Sequence, residues 1–188
     1  MRTPFPLPFG AAKTGPEDPT GTDPVSEAQH IINLILDERT VVRRSPQIEH
    51  ERKIAIFDLL EDNHFAPVGD FTGPYILHLG IHENRLVFDI HDGAEAPLTR
   101  FSLGLAPFRS VFRDYFVVCE SYFEAIKSAG RPRIEALDMG RRGLHDEGAA
   151  ILRRRLETKA EIDNDTARRL FTLVCVLHIR GTADTNGY

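Results

Sequence analysis

A chain of 188 residues and 21.2 kDa, 41% hydrophobic and 27% charged, with no Trp and two Cys, has the make-up of one ordinary globular domain. Such a composition excludes a disordered chain, and no uncharged apolar run reaches the roughly 18 residues of a membrane span. A net charge of −5 gives no support to generic binding of nucleic acid or of an anionic membrane.

Residues 1–25 hold six of the twelve prolines (Pro4, Pro6, Pro8, Pro16, Pro19 and Pro24) together with Gly10, Gly15 and Gly21. Pro removes backbone donors and Gly raises the entropy cost of order, so this stretch reads as a disordered tail. It lacks the basic start and unbroken apolar run of a secretory signal. One α+β domain is expected over 26–180, with 181–188 (GTADTNGY) as a flexible polar tail.

Within the domain, Ile31 to Leu36 (IINLIL) reads as a first strand, and Ser45-Pro46 as the cap and first residue of a helix ending near Asp62. Tyr75, Leu77, Leu79 and Ile81 alternate with small or polar residues, and Leu86, Phe88 and Ile90 alternate on the return. A two-residue Glu83-Asn84 turn then pairs Ile81 with Leu86 and places all seven apolar side chains on one face. The other face receives His78, His82, Arg85, Asp89 and His91. A third strand carries Phe101, Leu103 and Leu105 on one side.

After Pro107 the period changes. Phe108, Val111, Phe112, Tyr115, Phe116, Cys119, Tyr122, Phe123 and Ile126 repeat at i, i+3 and i+4, the signature of a long amphipathic helix that Gly130 and Pro132 end. A short helix is expected from Pro132 to Leu137, then a Gly-punctuated segment, then a helix to Leu156. Asp163 or Asn164 caps the last helix, whose LFTLVCVLHI half is apolar all round and so should lie buried. The order β-α-β-β-β-α-α-α predicts about four mainly antiparallel strands covered on one face by helices.

The chain resembles a bacterial family catalogued as uncharacterised protein family 0262. EHERKIAIFDLLEDN (49–63), GPYILHLGIHENRLVFDI (73–90), DYFVVCESYFEAI (114–126), IEALDMGRRGLHDEGA (134–149) and DTARRLFTLVCVLHIR (165–180) carry the likeness. The proline-rich tail is not part of it. The resemblance implies a cytoplasmic proteobacterial protein and brings no catalytic residues with it, so chemistry must be read from side chains.

The most functional-looking stretch is Asp138 to Glu147, where Gly140 and Gly143 flank Arg141 and Arg142 beside His145. Glycine admits a close backbone approach, and arginine offers a planar fork suited to phosphate or carboxylate. A helix starting near Gly143 would add free N–H groups facing the same anion. Residues 131–155 hold seven Arg and four acids, +3 in a chain of −5, so the remainder carries −8. The bland reading is a solvated arginine face whose glycines allow helices to pack closely. His145 titrates near neutrality, but Asp146 beside it on a helix faces elsewhere, so an orienting partner must come from another element.

The sheet's polar face is a second constellation. His78 falls opposite Asp89, but His78 and His82 lie roughly 13 Å apart along one strand and cannot share a metal ion. Glu49 and Glu51 suit the start of a helix, and His50 has no second His at i+4. His178 reads as a core histidine, and Cys119 and Cys175 as small reduced hydrophobes in a cytoplasmic protein. There is no P-loop, dinucleotide fingerprint, GxSxG or HExxH, and nothing calls for a cofactor or metal.

These features point to a non-catalytic, cytoplasmic binding or regulatory protein. Its Arg141/Arg142 segment would contact an anionic partner such as RNA, a nucleotide or an acidic protein patch. Two alternatives remain: a phosphoester or nucleotide hydrolase with an arginine clamp and His145 as acid/base, and a structural assembly partner.

Overall fold

A computed structural model of the chain describes residues 28–37 and 46–183. The N-terminal tail, the Ser45 cap and residues 184–188 lie outside them. The four-stranded sheet runs in the order β1-β3-β4-β5, with β1 (Ile31–Leu36) parallel to β3 (Tyr75–His82) and the others antiparallel. A parallel neighbour needs a long crossover. Helix α1 (Pro46–Glu61) lies within it.

Pairing of β3 with β4 (Arg85–Asp92) follows the expected register, Ile81 against Leu86 and Leu77 against Ile90. The Glu83-Asn84 turn has φ of 48° and 59°, the left-handed pair that matches strand twist in a two-residue hairpin. Leu77, Leu79, Leu86, Phe88 and Ile90 are fully buried. β5 (Pro97–Gly104) completes the sheet, and a 3-10 turn (Ala106–Phe108) leads into α2 (Arg109–Ser128).

Two findings depart from the sequence reading. A second sheet pairs β2 (Phe65–Pro67) with β6 (Ala160–Ile162), strands of three residues that are too short to show alternation. In addition, Arg131–Leu156 is one continuous 26-residue helix, α3, where a short helix and a glycine-rich break were expected. A helical glycine costs only about 1 kcal/mol relative to alanine, and packing of the helix's buried stripe outweighs that. The stripe ends in Gly148, Ala149, Leu152 and Leu156.

Helix α4 (Asn164–Ala183) begins where the Thr166 N–H donates to Asp163 Oδ1 at 2.6 Å, and its backbone continues through 181–183 in place of a tail. It is the central helix: Ala167, Leu170, Phe171, Leu173 and Val174 are completely buried. Phe171 stacks on Phe112, which stacks on Phe108, at 6.0 and 5.6 Å between ring centres. Each such side chain contributes about 1.5–3 kcal/mol by leaving water. The helices cover one face of the sheet. The other face is left with His78, His82, Asp89, His91 and Arg100.

Candidate functional site

The α3 cluster is built on helical spacing. Arg141 and His145 sit at i and i+4, in line with buried Gly148, Ala149 and Leu152, so both turn inward between helices. Arg141 Nη1 donates to Glu51 of α1 at 3.1 and 3.3 Å, and Nη2 donates to Asp138 at 3.0 Å. Its guanidinium also lies 5.3 Å from the Tyr122 ring centre. The Arg141 hydrogen bond holds the Asp138 carboxyl below the usual carboxylate range, against some desolvation. The fork is therefore committed inside the protein, and only 21% of its side chain is exposed.

His145 takes its orienting group from α4. The Thr172 hydroxyl donates to the Arg168 carbonyl at 3.1 Å, which leaves Thr172 Oγ1 to accept from His145 Nδ1 at 3.2 Å. Burial first, then the Arg141 and Arg168 charges, push its pKa down to about 4. The ring is thus neutral at pH 7, edge-on to Tyr115 at 5.0 Å, and its Nε2 is buried without a partner. Asp146 pairs with Arg168 at 2.9 Å and not with His145.

Arg142 holds the same Asp138 carboxylate from the solvent side. Its side chain is 69% exposed and bonds Asp138 at 2.8 Å. Arg141, Arg142 and His145 therefore do not share a pocket. A depression of about 220 Å³ reaches His145 between α1 and α4, but Arg168 and Arg169 line it in place of Arg141 or Arg142. Those two are held by Asp146 and Asp62. Gly140 and Gly143 are helical, so position 143 has no free N–H groups to offer an anion. The expected clamp of Arg141 and Arg142 is therefore not assembled at the depression beside His145.

The remaining sequence candidates are structural. Glu51 is the Arg141 partner, and Arg52 bonds Glu49 at 3.3 Å within α1. His178 stacks on Phe112 at 4.3 Å, and burial lowers its pKa. Both cysteines are free thiols. Burial pushes Cys119 up to about 11 and raises Cys175, so neither is a thiolate nucleophile at neutral pH.

Sequence reasoning passed over one charged surface. At the end of α3, Arg153, Arg154 and Arg155 are all exposed and carry no ion pair among the described residues. Arg153 and Arg154 border a groove of about 620 Å³ whose walls include Val68, Ala150 and Ala160 together with Glu157 and Glu161. The signal was present in three consecutive arginines, overshadowed by the glycine-flanked pair.

On the open sheet face the His78–Asp89 register is as expected, yet the carboxylate bonds His91, two residues along the same strand, at 3.2 Å. His82 bonds Asp37 at 2.8 Å. No group of three ligating residues able to hold a metal ion occurs among the described residues.

The sequence is similar to those of known proteins. The profile of a family described as Uncharacterised protein family (UPF0262) matches residues 28–180. The chain is 59% identical over 157 residues to a UPF0262 protein of Rhodospirillum rubrum, covering 84% of this chain and 97% of that one. It is 54% identical over 153 residues to one of Paramagnetospirillum magneticum (81% and 98% covered). A third, from Azorhizobium caulinodans, is 55% identical over 150 residues (79% and 93%). No solved structure matches.

Proposed function

The chain belongs to the family described as Uncharacterised protein family (UPF0262), and we propose that it is a non-catalytic binding protein that engages an acidic protein surface through the C-terminal end of α3. The carrying observation is that Arg153, Arg154 and Arg155 stand exposed without carboxylate partners among the described residues. Residues 153–161 hold Arg153, Arg154, Arg155 and Lys159 against Glu157 and Glu161, 4 − 2 = +2. One basic residue answers a helix dipole, and three exceed that need. Guanidinium forks match carboxylates in bidentate fashion, and the apolar groove wall, with Val68 62% exposed, gives a peptide something to bury.

An acidic protein suits this surface better than RNA. The groove has no aromatic side chain among its lining residues for stacking bases. The setting we propose is the cytoplasm, where free Cys119 and Cys175 stay reduced. No helix among the described residues is long and apolar enough to cross a membrane.

The test is fluorescence anisotropy with a labelled poly-glutamate peptide and a single-stranded RNA of equal charge, using wild type and R153E/R154E/R155E. Wild type should bind the peptide in a salt-sensitive manner, and the triple variant should lose that binding with an unchanged thermal midpoint. Equal binding by both proteins, or a preference for RNA, overturns the reading.

A further inference from the structure

Helix α1 buries Ala55 and Leu59 against the rest of the fold, yet its opposite side is apolar as well. Phe57 is 63% exposed there, with Ile54 at 43% and Leu60 at 37% one turn to either side. A surface helix ordinarily turns polar residues outward, so this strip stands out. At 3.6 residues per turn, Lys53 and Glu61 share the same side of the helix.

Those two charges are unused. Lys53 and Glu61 are both exposed and make no ion pair among the described residues. Arg52 and Glu49, by contrast, bond each other, and Asp62 just past the helix faces Arg169 at 4.0 Å. Glu61 also lies in the last turn, which holds no basic residue, and there the helix dipole disfavours an acid. The stability of α1 therefore does not account for its position.

The strip is symmetric about Phe57. Ile54 and Leu60 stand three residues before and after it, and Lys53 and Glu61 stand four. When two such helices pack antiparallel with Phe57 at the centre, each Ile54 comes level with the partner's Leu60. Each Lys53 likewise comes level with the partner's Glu61. A two-fold interface requires a patch that complements itself, and this one does so in its apolar and its charged positions. Parallel packing would instead set lysine against lysine.

We infer that the outer face of α1 is a contact between two copies of this chain, joined antiparallel about Phe57 by two Lys53–Glu61 pairs. The 16-residue helix is about 24 Å long. Two helices of that length bury less than the roughly 1,200 Å² of a standard interface, so the dimer is a weak one, formed in the micromolar range. The surface is separate from the basic end of α3, and the inference does not rest on an acidic partner there.

The experiment is sedimentation velocity of the full chain over a concentration series, which should show a monomer–dimer equilibrium. Phe57→Ser should weaken it at least about tenfold, the scale of a central aromatic anchor, with an unchanged thermal midpoint at dilution. Lys53→Glu and Glu61→Lys should each weaken it about tenfold, since each puts two like-charge pairs where two ion pairs stood. The double variant Lys53→Glu/Glu61→Lys should return to within about threefold of wild type. An equimolar mixture of the two single variants should associate more tightly than either alone. A chain monomeric at every concentration, which would leave the strip to a different occupant, overturns the inference. So does dimerisation unaffected by Phe57→Ser, or charge swapping that restores nothing in the double variant or the mixture.

Discussion

The interior face of α3 and the open face of the sheet use the same residue types, arginine, histidine and carboxylate, to opposite ends. Around Arg141 the guanidinium is held by Glu51 and Asp138 within a packed helical layer. Around Arg100 the pair is looser, 4.0 Å, and the side chain reaches solvent. His145 is closed in by Tyr115, Phe171 and Thr172, while His82 is 39% exposed on the open sheet face. The difference teaches that residue identity does not say whether a guanidinium is open to solvent; how closely its carboxylates hold it does. The sharpest way to break this contrast is Arg141→Met. It leaves Glu51 without its cation and Asp138 with Arg142 alone, and loss of one partner of a buried pair costs about 3–5 kcal/mol. With a fifth of the side chain exposed, the low end, about 3 kcal/mol, is expected by urea unfolding. Arg142→Met next to it should stay within about 0.5 kcal/mol, as surface changes do. Equal effects from the two would dissolve the distinction.

The second test uses protons. His145 has its pKa held at about 4 against an ordinary 6.5, so the unfolded chain takes up this proton more readily than the folded one. Above pH 6.5 both states are neutral at this ring and nothing is lost. As pH falls from 6.5 toward 4, stability declines, by about 2 kcal/mol at pH 5 and about 3 kcal/mol in full. His178, also lowered by burial, acts in the same direction. The slope in His145→Gln should therefore be shallower than in wild type without vanishing. A slope unchanged by the substitution would mean that the ring is not held neutral inside the helical layer.

How much of this was legible in the sequence depended on distance along the chain. The β3–β4 register was readable because an alternating pattern and a two-residue turn fix it locally, and a one-residue slip would mix the faces. The four-stranded sheet and the buried last helix followed from the same kind of local period. The inward turn of Arg141 was harder to see: its partner Glu51 is 90 residues away, although the i, i+4, i+7 line from Arg141 through His145 to Gly148 was there to be read. Thr172 meets His145 across 27 residues, and β2 meets β6 across nearly a hundred. The segment holding Gly140 and Gly143 was read as a break, and that close packing falls to Gly148 depends on Phe171, a neighbour that sequence order does not supply.

That role gives the smallest of the expected effects and the closest comparison between the two regions, since each relies on one glycine to let a neighbour close in. Gly80 admits Asp37 over the sheet. Gly148 admits Phe171: a Cβ there would lie 2.3 Å from two ring carbons of a side chain that is fully buried and stacked on Phe112. The ring cannot retreat, so Gly148→Ala meets overpacking of about 1–3 kcal/mol, offset by the roughly 1 kcal/mol that alanine gains over glycine in a helix. A net loss of about 1 kcal/mol is expected. Gly143→Ala faces open space and Gly140→Ala meets only an ordinary contact with Val118 at 3.9 Å, so both should raise the thermal midpoint. Were Gly143→Ala to destabilise instead, the helix would be broken at that position, and the arginines beside it would regain the exposed, hinged setting that the continuous helix denies them.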